Sequence, residues 1–146
     1  LMPPYVDSGI LIKLYVQERN SDATAAALRQ FASISFNSLQ ELEIRNTLRA
    51  MEGRGLISPV QRAASEHFLE ADIIGHRLRR TPVDWNALYS EAQNLSRLYT
   101  AETLSRSLDI LHVAAAVVSG TQDFITGDKR QQAIAAKCGL TVRLLA

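Results

Sequence analysis

Along the chain, short apolar runs alternate with longer stretches in which apolar residues recur every three or four positions. Tyr5 and Val6 favour a strand, Ser8 and Gly9 a turn, and Ile10, Leu11 and Leu14 one stripe of a helix. The pattern predicts a strand over residues 5–7 and a helix continuing to about residue 17. Asn20, Ser21 and Asp22 are capping residues ahead of an Ala-rich helix expected to reach about residue 31. Ser33-Ile34-Ser35-Phe36 reads as a second short strand.

Asn37-Ser38 caps a long helix that Gly53 and Gly55 end near residue 54, with Leu39, Leu42 and Leu48 read as its core face. Ser58-Pro59 opens the next helix, with Pro59 in the first position, where a missing N–H is not needed. That helix carries Phe68, Leu69, Ile73 and Ile74 and is expected to stop near Arg80, before a brief strand at Thr81-Pro82-Val83. Asp84 caps a helix whose stripe is Trp85, Leu88, Ala92, Leu95 and Leu98. Trp85 heads the stripe and is read as a packing anchor in preference to a stacking platform for a base. Residues 105–119 form a helix with Leu108, Leu111, Ala114, Ala115 and Val118 as a wide apolar face, and Gly120 ends it. Phe124-Ile125-Thr126 is a buried-type strand, Gly127-Asp128 a turn, residues 129–137 a helix and residues 141–145 a last strand.

This alternation, without repeats, linkers or low-complexity segments, predicts an α/β domain spanning residues 2–146. Leu1 precedes Met2, and the natural start is expected at Met2. The length and the apolar share, 47%, suffice for one domain with its own core. A net charge of +1 excludes a strong global pull toward nucleic acid or membrane. Most of the cations are Arg, whose planar fork suits phosphate, although Arg scattered over amphipathic helices is first of all solvated surface. The lone cysteine, Cys138, beside Gly139, is expected to be structural, in a reducing, cytoplasmic compartment. No run has the apolar length of a membrane span, and the first residues lack the pattern of a secretory signal.

Two strand-to-helix junctions match. Val6-Asp7-Ser8-Gly9 and Ile125-Thr126-Gly127-Asp128 each place an Asp just beyond a strand, and parallel strands would bring both to one edge of the sheet. A lone Asp there is ordinarily a cap or turn former; two at one edge point toward chemistry. Asp109 is a carboxylate near the start of an otherwise apolar helix, where the helix dipole alone would favour it. His112 shares its face and is read as a partner for a carboxylate in preference to a metal ligand, since no second His lies at ligand spacing.

Four stretches, taken in order, resemble the acidic motifs of the PIN domain family. They are Tyr5-Val6-Asp7-Ser8-Gly9, Glu43-Ile44-Arg45-Asn46-Thr47-Leu48, residues 106–116 around Asp109, and residues 124–131 around Asp128. Within that family they look most like VapC-type toxins of toxin–antitoxin pairs. The resemblance implies a three-layer α/β/α fold with a central parallel sheet of four to five strands. It implies a metal-dependent endoribonuclease in which Asp7, Glu43, Asp109 and Asp128 surround one or two Mg²⁺ or Mn²⁺ ions, with Ser8 and Thr126 in support. It further implies an antitoxin that docks on the chain, and a homodimer. Thr47 departs from the usual small residue after the helical Glu. Glu41 competes with Glu43: the two differ by about 200° around a helix, so only one can face the site. Glu43 keeps the family spacing, which leaves Glu41 as a salt-bridging surface residue.

The chemistry fits those residue types. Converging carboxylates raise one another's pKa, and a hard divalent cation relieves the repulsion. Such a cation acidifies water and polarises phosphate. Asp7, Asp109 and Asp128 are the expected metal shell, with Glu43 helping to hold metal or water. Arg45, Lys129 and Arg130 are candidates for the RNA phosphates, with solvated helix charge kept as the slightly favoured reading. A covalent aspartyl phosphatase would want a second Asp where Gly9 stands, a receiver-like module an acid pair beside the first strand, and an NTPase a phosphate-binding loop. All three patterns are missing from the chain. A PIN-like domain that binds RNA or a partner without cleaving is the remaining alternative.

Overall fold

The computed structural model describes residues 2–145; Leu1 and the expected domain end at Ala146 lie outside the described residues. Five strands form one all-parallel sheet: β1 (Tyr5–Val6), β2 (Ile34–Phe36), β3 (Leu78–Arg80), β4 (Asp123–Thr126) and β5 (Thr141–Leu144). Their spatial order is β3-β2-β1-β4-β5. The chain therefore builds outward from β1 in one direction through β2 and β3, then returns to the other side of β1 for β4 and β5. In such sheets the crevice where the order reverses, beyond the carboxyl ends of the strands, is the place for a ligand. Here it opens between β1 and β4.

Helices cover both faces. Side chains alternate across a strand, so Val6 and Ile125 enter one core while their neighbours Tyr5 and Phe124 enter the other. The first core collects α1 (Ser8–Leu11), the 3₁₀ turn Ile12–Leu14, α2 (Ser21–Leu28), α3 (Ser38–Gly53) and α4 (Pro59–Ile74), through Leu11, Leu28, Ile44, Leu48 and Leu69. The second collects α5 (Trp85–Thr103), α6 (Ser107–Val118) and α7 (Lys129–Lys137), through Leu88, Leu95, Val113, Ala114 and Ile134. The Ala-rich face of α6 lies close on the sheet, as its composition implied. The result is the expected three-layer α/β/α arrangement.

Three local expectations are corrected. The helix after Ser58 ends at Ile74, and the outer strand is Leu78–Arg80, not residues 81–83. Gly75 closes the helix, and Leu78, Arg79 and Arg80 pair in register with Ile34, Ser35 and Phe36. Only Leu78 of that strand is buried, so an edge strand with two Arg residues carries little apolar signal. On α3 the inward face is Gln40, Ile44 and Leu48, while Leu42 is exposed, because Gln40 turns to the sheet and donates to the Val6 carbonyl at 2.7 Å. On α4 and α5, Phe68, Ile74 and Trp85 are exposed; the α5 stripe begins at Leu88 and leaves the indole, 40% exposed, at the sheet edge.

Candidate active site

All four acids of the sequence motifs lie on the carboxyl edge of the sheet, in two adjoining clefts. The larger, of about 430 Å³, is lined by Glu43, Asp109, His112 and Asp128, with Arg106, Arg130 and Gln131 on its walls. The smaller, of about 330 Å³, is lined by Asp7, Lys13, Asp128 and Gln131. Asp128 and Gln131 border both clefts.

Asp7 leaves β1 and caps α1, accepting at 2.9 Å from the Ile10 N–H. Its other oxygen accepts from the Thr126 hydroxyl and, at 3.2 Å, from the Gly127 N–H. Its side chain is almost wholly buried. Burial pushes its carboxyl above the usual range, against the hydrogen bonds from Thr126, Ile10 and Gly127 that hold it down. Gly9 now has a second reason to be glycine: a Cβ there would stand 3.2 Å from Asp7 Oδ1.

Glu43 accepts from the Ser8 hydroxyl at 2.8 Å and meets His112 Nε2 at 2.5 Å. Glu41, two residues earlier, binds Arg45 and Arg80 instead. The helix rotation thus points Glu43 into the cleft and Glu41 away from it. Behind Glu43 runs a buried chain whose proton positions can be assigned. Asn37 caps α3 by accepting the Gln40 N–H on Oδ1, so its Nδ2 faces Tyr5 and donates to the hydroxyl. Burial pushes the Tyr5 hydroxyl far up, so it keeps its proton, and it donates that proton to His112 Nδ1 at 2.7 Å. His112 then carries a proton on Nε2 and donates it to Glu43. Every group in the chain has a role only in this arrangement. Burial pushes the Glu43 carboxyl up, but the hydrogen bonds from His112 and Ser8 bring it below the usual range.

Asp109 is buried in the first turn of α6, where Oδ2 accepts the Arg106 N–H at 2.9 Å. Its Oδ1 accepts from Gln131 Nε2 at 3.2 Å, and Gln131 Oε1 accepts in turn from the Thr126 hydroxyl. Asp128 is exposed and caps α7, taking the N–H groups of Arg130 and Gln131. Gln131 therefore touches the surroundings of three acids at once. Sequence reading gave it no role at the site, nor Tyr5, Asn37 or Gln40; a glutamine five residues past a strand end, on the inner face of a helix, is the signal that was available.

The expected shell of Asp7, Asp109 and Asp128 is corrected in one respect: it is not gathered around a single point. Among the described residues, no three His, Cys, Asp or Glu side chains converge closely enough to enclose a metal ion. The cause is local: Asp7 and Asp109 each turn both oxygens to protein donors, and Asp128 caps its helix. The donor set still fits a hard cation held mainly through water, because it consists of carboxylate oxygens and Mg²⁺ commonly uses only one or two of them directly. No Lys or Arg among the described residues forms an ion pair with any of the four acids. The phosphate candidates separate. Arg130 lines the larger cleft, and Arg106, which sequence reading passed over, lies beside it. Lys129 is exposed at the start of α7 and lines neither cleft. Arg45 is corrected: it binds Glu70 at 2.7 Å and Glu41 at 3.0 Å on the α3–α4 pair, away from the acids.

A parallel sheet in a three-layer scaffold, with acids at its switch point, is a nuclease-type fold. The PIN domain family model matches residues 5–137, and the chain belongs to that family. No curated protein sequence matches the chain.

Proposed function

We propose that the chain is a divalent-metal-dependent endoribonuclease that acts as the toxin of a VapC-type toxin–antitoxin pair. One observation carries the nuclease reading: four acids share the edge of the switch point and are held by hydroxyls, amides, main-chain N–H groups and one imidazole, with no Lys or Arg among the described residues paired to them. Mg²⁺ or Mn²⁺ held there supplies Lewis acidity toward a phosphodiester and its attacking water. Asp7 and Asp109 would hold the cation, with Asp128 at the open mouth, where water and substrate enter. Glu43, oriented by Ser8 and the His112–Tyr5–Asn37 chain, accepts a proton from water at its Oε atoms. Arg130 and Arg106 position the RNA backbone, which gives affinity with little sequence choice. Thr126 and Gln131 keep the buried carboxylates in place.

The toxin role, its antitoxin and a homodimer follow from the same family likeness. Exposed apolar residues on the α3–α4 pair, Leu42, Phe68 and Ile74, support a docking role for that arm. The lone Cys138 fits a cytoplasmic setting. Among the described residues, no helix is long and apolar enough to cross a membrane.

The test is cleavage of RNA by the purified chain with Mg²⁺ or Mn²⁺, with chelator, and with Asp7→Asn. Metal-dependent cuts leaving a 5′ phosphate and a 3′ hydroxyl, lost in the variant, are expected. RNA binding without cleavage under every metal condition would instead assign a silent binding module. Growth arrest on induced expression, relieved by a co-expressed partner, tests the toxin role.

A further inference from the structure

Outside the acid clefts, a third cavity of about 250 Å³ opens on the same edge, at the ends of β2 and β3. Its walls include Phe36, Asn37, Ser38, Arg80, Thr81 and Trp85. We propose that it takes one nucleobase of the RNA, with the Trp85 indole as stacking surface and the Arg80 guanidinium as its cationic wall. The proposal rests on the nuclease reading and adds a substrate subsite to it.

Position is the first argument. β2 and β3 are the first and second neighbours of β1, on the side away from β4. Strands lie about 4.8 Å apart, so the cavity is roughly 5–10 Å from the strand that carries Asp7. A strand of RNA crossing the edge reaches both. Chemistry is the second argument. Trp85 is the only tryptophan in the chain, and it opens α5 ahead of the core stripe, so packing does not require its exposed face. The Arg80 guanidinium lies 5.4 Å from the centre of the Phe36 ring and is anchored by Glu41 at 2.8 Å. Aromatic faces and planar guanidinium groups, with hydroxyl and amide groups nearby, are how unpaired bases are gripped. An acidic peptide would find a cation already paired with Glu41, and a cavity of this size suits a planar ring better than a helix.

The cavity is also wired to the acids. Asn37 lines it and donates to Tyr5, from which the hydrogen-bond chain runs through His112 to Glu43. A base seated there leans on the group that orients Glu43, so its identity can act on the cleavage step.

The single indole makes the test direct. Short single-stranded RNA is titrated into the full chain carrying Asp7→Asn, following the anisotropy of a labelled RNA and, separately, the emission of Trp85. Emission is expected to change over the same concentration range as anisotropy, and one abasic position in the RNA should abolish the change. In the cleaving chain, Trp85→Ala should raise KM about tenfold, with Trp85→Phe recovering most of the loss. RNA that binds by anisotropy while emission stays fixed, with Trp85→Ala cleaving at the original KM, overturns the subsite and leaves the nuclease reading standing. RNA that neither binds nor is cleaved removes both. Emission that responds only to a protein partner gives the cavity to that partner and likewise overturns the proposal.

Discussion

Glu41 and Glu43 stand two residues apart on one helix and live in opposite surroundings. Glu41 belongs to the α3–α4 arm, where carboxylates are met by guanidinium groups: Arg45 and Arg80 on Glu41, Arg45 on Glu70, Arg62 on Glu52 and Glu66. Glu43 belongs to the sheet edge, where carboxylates are met by hydroxyls, amides, main-chain N–H groups and one imidazole. The arm is neutralised and the edge is only oriented. Ion pairs answer charge with charge and leave a carboxylate little charge to attract a cation. Neutral donors fix where a carboxylate points and leave its charge to attract a cation. That difference, more than the count of acids, separates structural from functional carboxylates here.

The contrast is broken hardest by neutralising one acid from each region. Asp7→Asn or Glu43→Gln should lower metal-dependent RNA cleavage by about a hundredfold or more, a loss of the size seen when one transition-state contact is removed. Glu41→Gln should leave kcat near that of the original chain, with any change falling on KM through Arg80. Wild-type cleavage by a folded Asp7→Asn chain would place the chemistry elsewhere. A metal titration adds a readout free of substrate: Mn²⁺ should raise the melting temperature of the original chain and do so less in Asp7→Asn, because only a ligand of the native state stabilises it.

Next in size is Gln131, which orients without carrying charge. Gln131→Leu removes the donor to Asp109 and the acceptor for Thr126. Groups that orient metal-holding side chains are worth roughly 10- to 100-fold in metal affinity or activity. The variant should therefore need more Mg²⁺ for half-maximal cleavage, with circular dichroism unchanged. Arg130→Ala should act differently, raising KM and reducing the salt dependence of RNA binding by about one phosphate contact.

The arm gives the smaller stability effect. Glu41→Gln weakens pairs with Arg45 and Arg80 that are only partly exposed, so a loss of about 1 kcal/mol in thermal unfolding is expected. The same change also frees Arg80 at the third cavity.

What was legible in the sequence follows the same division. Strand, turn and helix around Asp7 and around Asp128 were readable because apolar runs and capping residues stand next to each other there, and the motif order added Glu43 and Asp109. Helical rotation allowed only one of Glu41 and Glu43 to face the site, and the family spacing chose Glu43. Arg45 and Trp85 were misread because a sequence shows a side chain's type and not its partners: two Glu residues claim Arg45, and the start of α5 at the sheet edge leaves Trp85 outside the core. The β3 strand was missed because one buried leucine is too little signal. Gln131 with Asp109 and Tyr5 with His112 join residues 22 and 107 positions apart, and no local pattern encodes such pairings.

The finest division lies within the edge itself, between Asp7 and Glu43. Burial raises the Asp7 carboxyl above its unfolded value. The stability it lends is therefore full below the unfolded value and is lost as pH rises through the folded one. Glu43 is net lowered, so its contribution is present above the unfolded value and is lost as pH falls through the folded one. The two acids pull the pH dependence of unfolding in opposite directions. Thermal melts in chelator between about pH 3 and 7 should show this, since that window brackets ordinary carboxyl titration. Relative to the original chain, Glu43→Gln should become less stable as pH rises, and Asp7→Asn should become more stable. Parallel curves for the two variants would mean that the edge treats its acids alike, and the orienting role given to the His112 chain would fall with that result.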